Sequence, residues 1–170
     1  MYAQRKAPFT PRTNAGRHGY RPAPVRARIG LAMRRGMNFG DLPDSEGLLR
    51  SRGLSLAPMS VGEGGLNVGG TSILPTAQAS DIDNGALRGL VIPAGAGDPE
   101  ALPALHDAIV RARGRNLPIF AFGDGVDIVL SALNRPAASF AGAPAVLIAG
   151  EGTEALADAD ALAEAASRVQ

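Results

Sequence analysis

The sequence predicts an α/β protein with a mostly parallel sheet covered by helices on both faces. Three observations carry that prediction. Short apolar runs alternate along the chain with segments of helical period. The runs GLVI (89–92) and PIFAF (118–122) show no polar alternation, as expected of strands buried on both sides. Turns rich in Gly follow the strands, at PAGAGD (93–98) and GDGVD (123–127), the positions where ligands sit in such sheets.

The elements follow in order. Residues 1–24 contain Pro8, Pro11, Pro22 and Pro24 and no apolar period, and they read as a disordered arm ahead of a single folded domain over 25–170. VRARIGLAM (25–33) starts as alternating apolar and Arg residues and continues as a strand entering a core. Asp44-Ser45-Glu46 begins a short helix that turns Leu48 and Leu49 inward and stops at Gly53. LSLAPMSV (54–61) is a second strand, and the Gly-rich GEGGLNVGG stretch is a flexible hairpin. It lacks the Lys-Ser/Thr ending of a phosphate loop. Strand 89–92 leads to a helix over Pro99–Asn116, with Leu102, Leu105, Ile109 and Val110 on its inner face and Gly114 closing it. LPIFAFG and VDIVLSALN form the next strand and helix. APAVLIAGE (143–151) is a further strand, and an Ala-rich helix over 154–169 ends the chain.

Composition narrows the chemistry. The 170 residues suffice for one core, and with 4% aromatic residues and no Trp that core must be built from Ala, Val, Leu and Ile. Zero Cys excludes disulfides, thiolate metal sites and Cys nucleophiles, and two His (His18 and His106) argue against a multi-His metal centre. His106 reads as a flanking residue of its helix. No apolar run reaches the ~20 residues of a membrane span, and the N-terminus lacks a secretory apolar segment, so a cytoplasmic protein is expected without metal or cofactor.

Charge is unevenly placed. Net charge is +1, yet the first 28 residues hold Arg5, Lys6, Arg12, Arg17, Arg21, Arg26 and Arg28 and no acid, leaving an acidic body. Such an arm is either a solvated tail, a contact for an acidic partner or nucleic acid, or an organelle presequence, although its prolines would interrupt an amphipathic helix.

The run from Leu90 to Leu133 resembles the ThiJ/PfpI branch of the class I glutamine amidotransferase-like superfamily. Leu90-Val91-Ile92-Pro93 stands for that family's apolar strand and proline, Ala94-Gly95 for its Gly-Gly, and Asn116-Leu117-Pro118 for the Gly-Lys-Pro ahead of the elbow strand. Asp81 and Asp83 occupy the acidic stretch before the strand. The resemblance covers residues 26–135 well and the last 35 weakly. It implies a flavodoxin-like three-layer sandwich, and homodimers are common in the family.

The same correspondence places the family's nucleophilic Cys on Gly123, its following His on Asp124, and the next Gly on Gly125. The turn is kept and the reactive atom is absent, which implies a degenerate nucleophile elbow. The acid that supports the thiol belongs in the loop after the first strand, where Asp41, Asp44 and Glu46 lie. No His follows residue 106, so the family's later His loop is also missing. Asp124 is either a helix cap, a ligand contact, or the base of a non-thiol enzyme acting with Asp41 on a small carbonyl or amide. Gly95, Ala96 and Gly97 correspond to the family's oxyanion region and form a candidate anion-binding turn, or simply a tight turn into the helix. The leading expectation is a catalytically inactive binding or assembly subunit whose arm contacts a partner.

Overall fold

The computed structural model describes residues 27–42, 44–61, 66–68, 70–96 and 99–169. The basic arm and Gly97 lie outside these residues.

A six-stranded sheet forms the middle layer, in the order β2-β1-β5-β6-β7-β8. Strands β1 (Ala27–Ala32), β2 (Leu54–Met59), β5 (Leu90–Ile92) and β6 (Ile119–Phe122) are parallel. β7 (Ala145–Ala149) runs antiparallel to β6, and β8 (Gly152–Leu156) antiparallel to β7. A separate hairpin pairs β3 (Leu66–Val68) with β4 (Thr71–Ile73), as expected for the Gly-rich stretch.

Alternate residues of each strand feed opposite cores, because side chains on a strand switch faces at every step. Leu90, Ile92, Ile119 and Ala121 pack under α2 (Ser80–Asp83), α3 (Leu102–Gly114) and α4 (Asp124–Ala132). Ile29, Val91, Phe120 and Phe122 pack on the other face, with α1 (Ser45–Ser51) and α5 (Ala159–Arg168). The result is the three-layer sandwich, its sheet mostly parallel. Both Phe side chains of β6 are fully buried, each worth about 1.5–3 kcal/mol of apolar transfer.

The structure corrects several local expectations. The chain does not run from residue 154 directly into a helix. Gly152–Leu156 forms β8, and the helix starts only after Asp158, whose side chain accepts from the Ala161 N–H at 2.8 Å. Arg135 fastens this hairpin by donating to the carbonyls of Gly150 and Glu151. On α3 the inner stripe is Leu105, Ala108, Ile109 and Ala112, while Val110 points outward, 53% exposed. Val110 lies about 100° around the helix from Ile109, which takes it off the stripe. The left-handed residue after α3 is Asn116 (φ 56°) rather than Gly114.

Candidate functional site

Three neighbouring parallel strands end at one place. β1 delivers Arg34, β5 delivers Pro93-Ala94-Gly95, and β6 delivers Gly123 and Asp124. The β6–α4 connection is an abrupt reversal. Gly123 has φ 54° and ψ −127°, a conformation that glycine tolerates and side-chain-bearing residues resist. α4 begins at the next residue. Gly125 lets the first turn of α4 approach β5, since a Cβ there would lie 2.8 Å from the Ile92 carbonyl oxygen.

Space at the elbow is closed by Ala94. A Cβ built on Gly123 would lie 2.7 Å from the Ala94 Cβ, well inside van der Waals contact. The loop after β1 closes the other side. The Asn38 N–H donates to the Ala94 carbonyl at 2.9 Å. Gly40 (φ 58°) faces Gly123, with its would-be Cβ 3.6 Å from the Gly123 Cα. Phe39 stands edge-on against Phe122, with ring centroids 4.9 Å apart.

Asp124 is not a helix cap. Gly123 holds the cap position, and no side-chain cap hydrogen bond forms there. The Asp124 carboxylate is held mainly from outside the helix, with its own backbone N–H contributing. Arg34 donates through both terminal nitrogens, Nη1 to Oδ1 and Nη2 to Oδ2, each at 3.0 Å. The Gly95 N–H donates to Oδ1 at 3.0 Å. Arg34 Nη1 also donates to the Pro93 carbonyl at 2.8 Å. Partial burial pushes the carboxyl up, but the hydrogen bonds from Arg34 and Gly95 and the Arg34 charge outweigh it and hold Asp124 below the usual carboxylate range.

Three backbone donors around the elbow are engaged within the chain. Gly95 gives its N–H to Asp124, Ala96 to the Arg35 carbonyl at 2.8 Å, and Gly123 to the Pro144 carbonyl at 3.1 Å. The anion at the Gly95 turn is therefore the protein's own carboxylate. Of the three loop acids, Glu46 pairs with Arg50 at 2.8 Å, Asp44 starts α1 in the left-handed region (φ 61°), and Asp41 is exposed beside Gly40. Asp83 pairs with Arg111, and the Asp81 carboxylate accepts from the Gln78 N–H at 3.0 Å. Asp83 thereby fastens α2 to α3, and Asp81 secures the start of α2. His106 is half-buried on α3. Among the described residues no group of three or more His, Cys, Asp or Glu could hold a metal ion, and no helix is long and apolar enough to cross a membrane.

Sequence reasoning missed Arg34. Its signal was a basic residue placed immediately after a buried apolar run, where charge needs a partner.

The same fold occurs in solved structures of DJ-1-like proteins. Oxidized DJ-1 from Toxoplasma gondii superposes with a TM-score of 0.53 at 15% identity, covering 82% of this chain and 86% of the other. An AraC family transcriptional regulator from Pseudomonas putida gives 0.55 at 12% identity, covering 82% and 88%. A mutant of a DJ-1 superfamily protein from Salmonella typhimurium gives 0.50 at 15% identity, covering 64% of this chain and 61% of that one, so the match spans about three-fifths of its length. At these identities the likeness is one of fold. No family model matches the sequence, and no curated protein matches it.

Proposed function

We propose that this chain is a catalytically silent protein of the DJ-1/ThiJ/PfpI fold that serves as a binding or assembly subunit, its basic N-terminal arm making contact with a partner. The observation that carries this reading is the fit between Ala94 and Gly123. Where the resembling family has Gly-Gly after β5 and Cys at the elbow, this chain has Ala94-Gly95 and Gly123. The methyl group of Ala94 fills the space that the first carbon of an elbow side chain would need. Silence is then a property of two matched positions and not of one missing thiol. The amides of Ala96 and Gly123, bonded to the Arg35 and Pro144 carbonyls, support the same reading, because an oxyanion site requires donors aimed at the reacting oxygen.

The rival reading, a non-thiol enzyme using Asp124 with Asp41, is disfavoured by the Asp124 environment. A carboxylate held below its usual range by a bidentate Arg is a weak base and a weak nucleophile. The other rival, association with nucleic acid, rests on the acid-free arm Arg5, Lys6, Arg12, Arg17 and Arg21. The AraC family transcriptional regulator from Pseudomonas putida is of matching size, but it shares only 12% identity.

The test is turnover. Small aldehydes, amides and peptides are offered to the full chain and to Asp124→Asn. The expected result is no turnover above buffer by either. Turnover that disappears in Asp124→Asn would overturn the proposal in favour of the non-thiol enzyme.

A further inference from the structure

Arg34 and Asp124 are unequal partners. The Arg34 side chain is 6% exposed and the Asp124 side chain 47%. The guanidinium is fixed from behind by the Pro93 carbonyl and packs against Gly95, where a Cβ would lie 3.2 Å from its Cζ. It presents a planar two-nitrogen fork to the half-exposed Asp124, with the Gly95 N–H alongside, and all three donors converge on one carboxylate at 3.0 Å. That donor set is complementary to a planar, two-oxygen acceptor. The Asp124 carboxylate is the part of the arrangement that can leave, because solvent lies on its outer side.

The location gives an independent reason to expect a ligand. β1 lies between β2 and β5 in the sheet, so the chain leaves β1 toward one side and later returns to add β5 on the other. Open α/β sheets bind ligands at the carboxyl ends of strands where the order reverses in this way. Arg34 follows β1 and Gly95 follows β5, so the two donors flank that reversal.

We infer that Arg34 and the Gly95 N–H form a receptor for a small monocarboxylate, which Asp124 fills from within the chain and vacates when its side chain turns to solvent. The internal carboxylate competes at high effective concentration, so the intact protein admits a ligand only weakly, and the receptor is uncovered by removing Asp124. This inference needs no turnover and stands apart from the silence of the elbow.

The experiment measures the thermal midpoint of the full chain, of Asp124→Ala, and of Asp124→Ala combined with Arg34→Met. Sodium formate or acetate is titrated against sodium chloride at equal ionic strength. Asp124→Ala is expected to melt below the parent and to regain several degrees, saturably, in formate or acetate but not in chloride, since a ligand that binds only the folded state stabilises it. The parent should move much less, and the double variant not at all beyond chloride. The inference is overturned if Asp124→Ala responds to the carboxylates no more than to chloride, or if the double variant keeps the response. If Asp124→Ala does not fold, Asp124→Ser is judged by the same criteria. If neither folds in chloride, recovery of folded protein in acetate supports the receptor, and failure to recover any rejects it.

Discussion

Gly123 and Gly150 make an instructive pair. Each follows a strand of the same sheet, and they share almost the same φ, 54° and 56°. Their surroundings differ. A Cβ on Gly150 would meet only the Asn116 Oδ1, at 3.9 Å, whereas one on Gly123 would collide with Ala94 at 2.7 Å. The φ value alone therefore does not distinguish an elbow from an ordinary turn. What distinguishes it is the crowding around the position a side chain would occupy, and that crowding appears where three strand ends converge.

The largest expected effect is at the crowded glycine. Gly123→Ala adds an unfavourable backbone conformation and an overlap with Ala94, together about 2–4 kcal/mol of lost stability by denaturant unfolding. Gly150→Ala keeps only the backbone cost, about 1–2 kcal/mol. An equal loss at both positions would break the comparison.

Asp124→Asn follows, at about 1–2 kcal/mol, because it leaves a buried guanidinium without its charge partner while the exposed side of the pair is screened. It also changes the acid limb of the stability curve. The Asp124 carboxyl is lowered in the folded protein, so its contribution is fully present above the unfolded value of about 3.9 and is lost as pH falls through the lower folded value. Thermal midpoints measured from about pH 5 downward should fall less steeply in Asp124→Asn than in the parent. Parallel curves would show that the pair contributes nothing.

The smallest effect belongs to the exposed i,i+4 pair Glu46–Arg50. Glu46→Gln should change stability by less than about 0.5 kcal/mol, and even that should fade with salt. A cost there equal to that of Asp124→Asn would mean that burial of Arg34 is not what makes the elbow pair matter.

Much of the central architecture was legible in the sequence, for a physical reason. β5, α3, β6 and α4 form a contiguous stretch in which buried strands are uniformly apolar and α3 carries its stripe at helical spacing. β8 was not legible. Its residues GTEAL lie at the sheet edge and are mostly exposed, so they carry no burial pattern, and only pairing with β7 makes them a strand. The turn at Gly123 was recognisable because the apolar strand before it and the helical segment after it are both plain in the sequence. Arg34 and Asp124 were not recognisable as partners, since 90 residues separate them and an acidic residue after a glycine also reads as a cap. Ala94 was legible only as the counterpart of a family glycine, and its packing role depends on Gly123 lying opposite.

The most direct test of the account is a double-mutant cycle in unfolding free energy between Ala94→Gly and Gly123→Ala. Matched positions predict that Ala94→Gly recovers at least about 1 kcal/mol of the loss caused by Gly123→Ala, because the overlap disappears and only the backbone cost remains. Strict additivity of the two substitutions would contradict the claim that Ala94 is what keeps the elbow without a side chain.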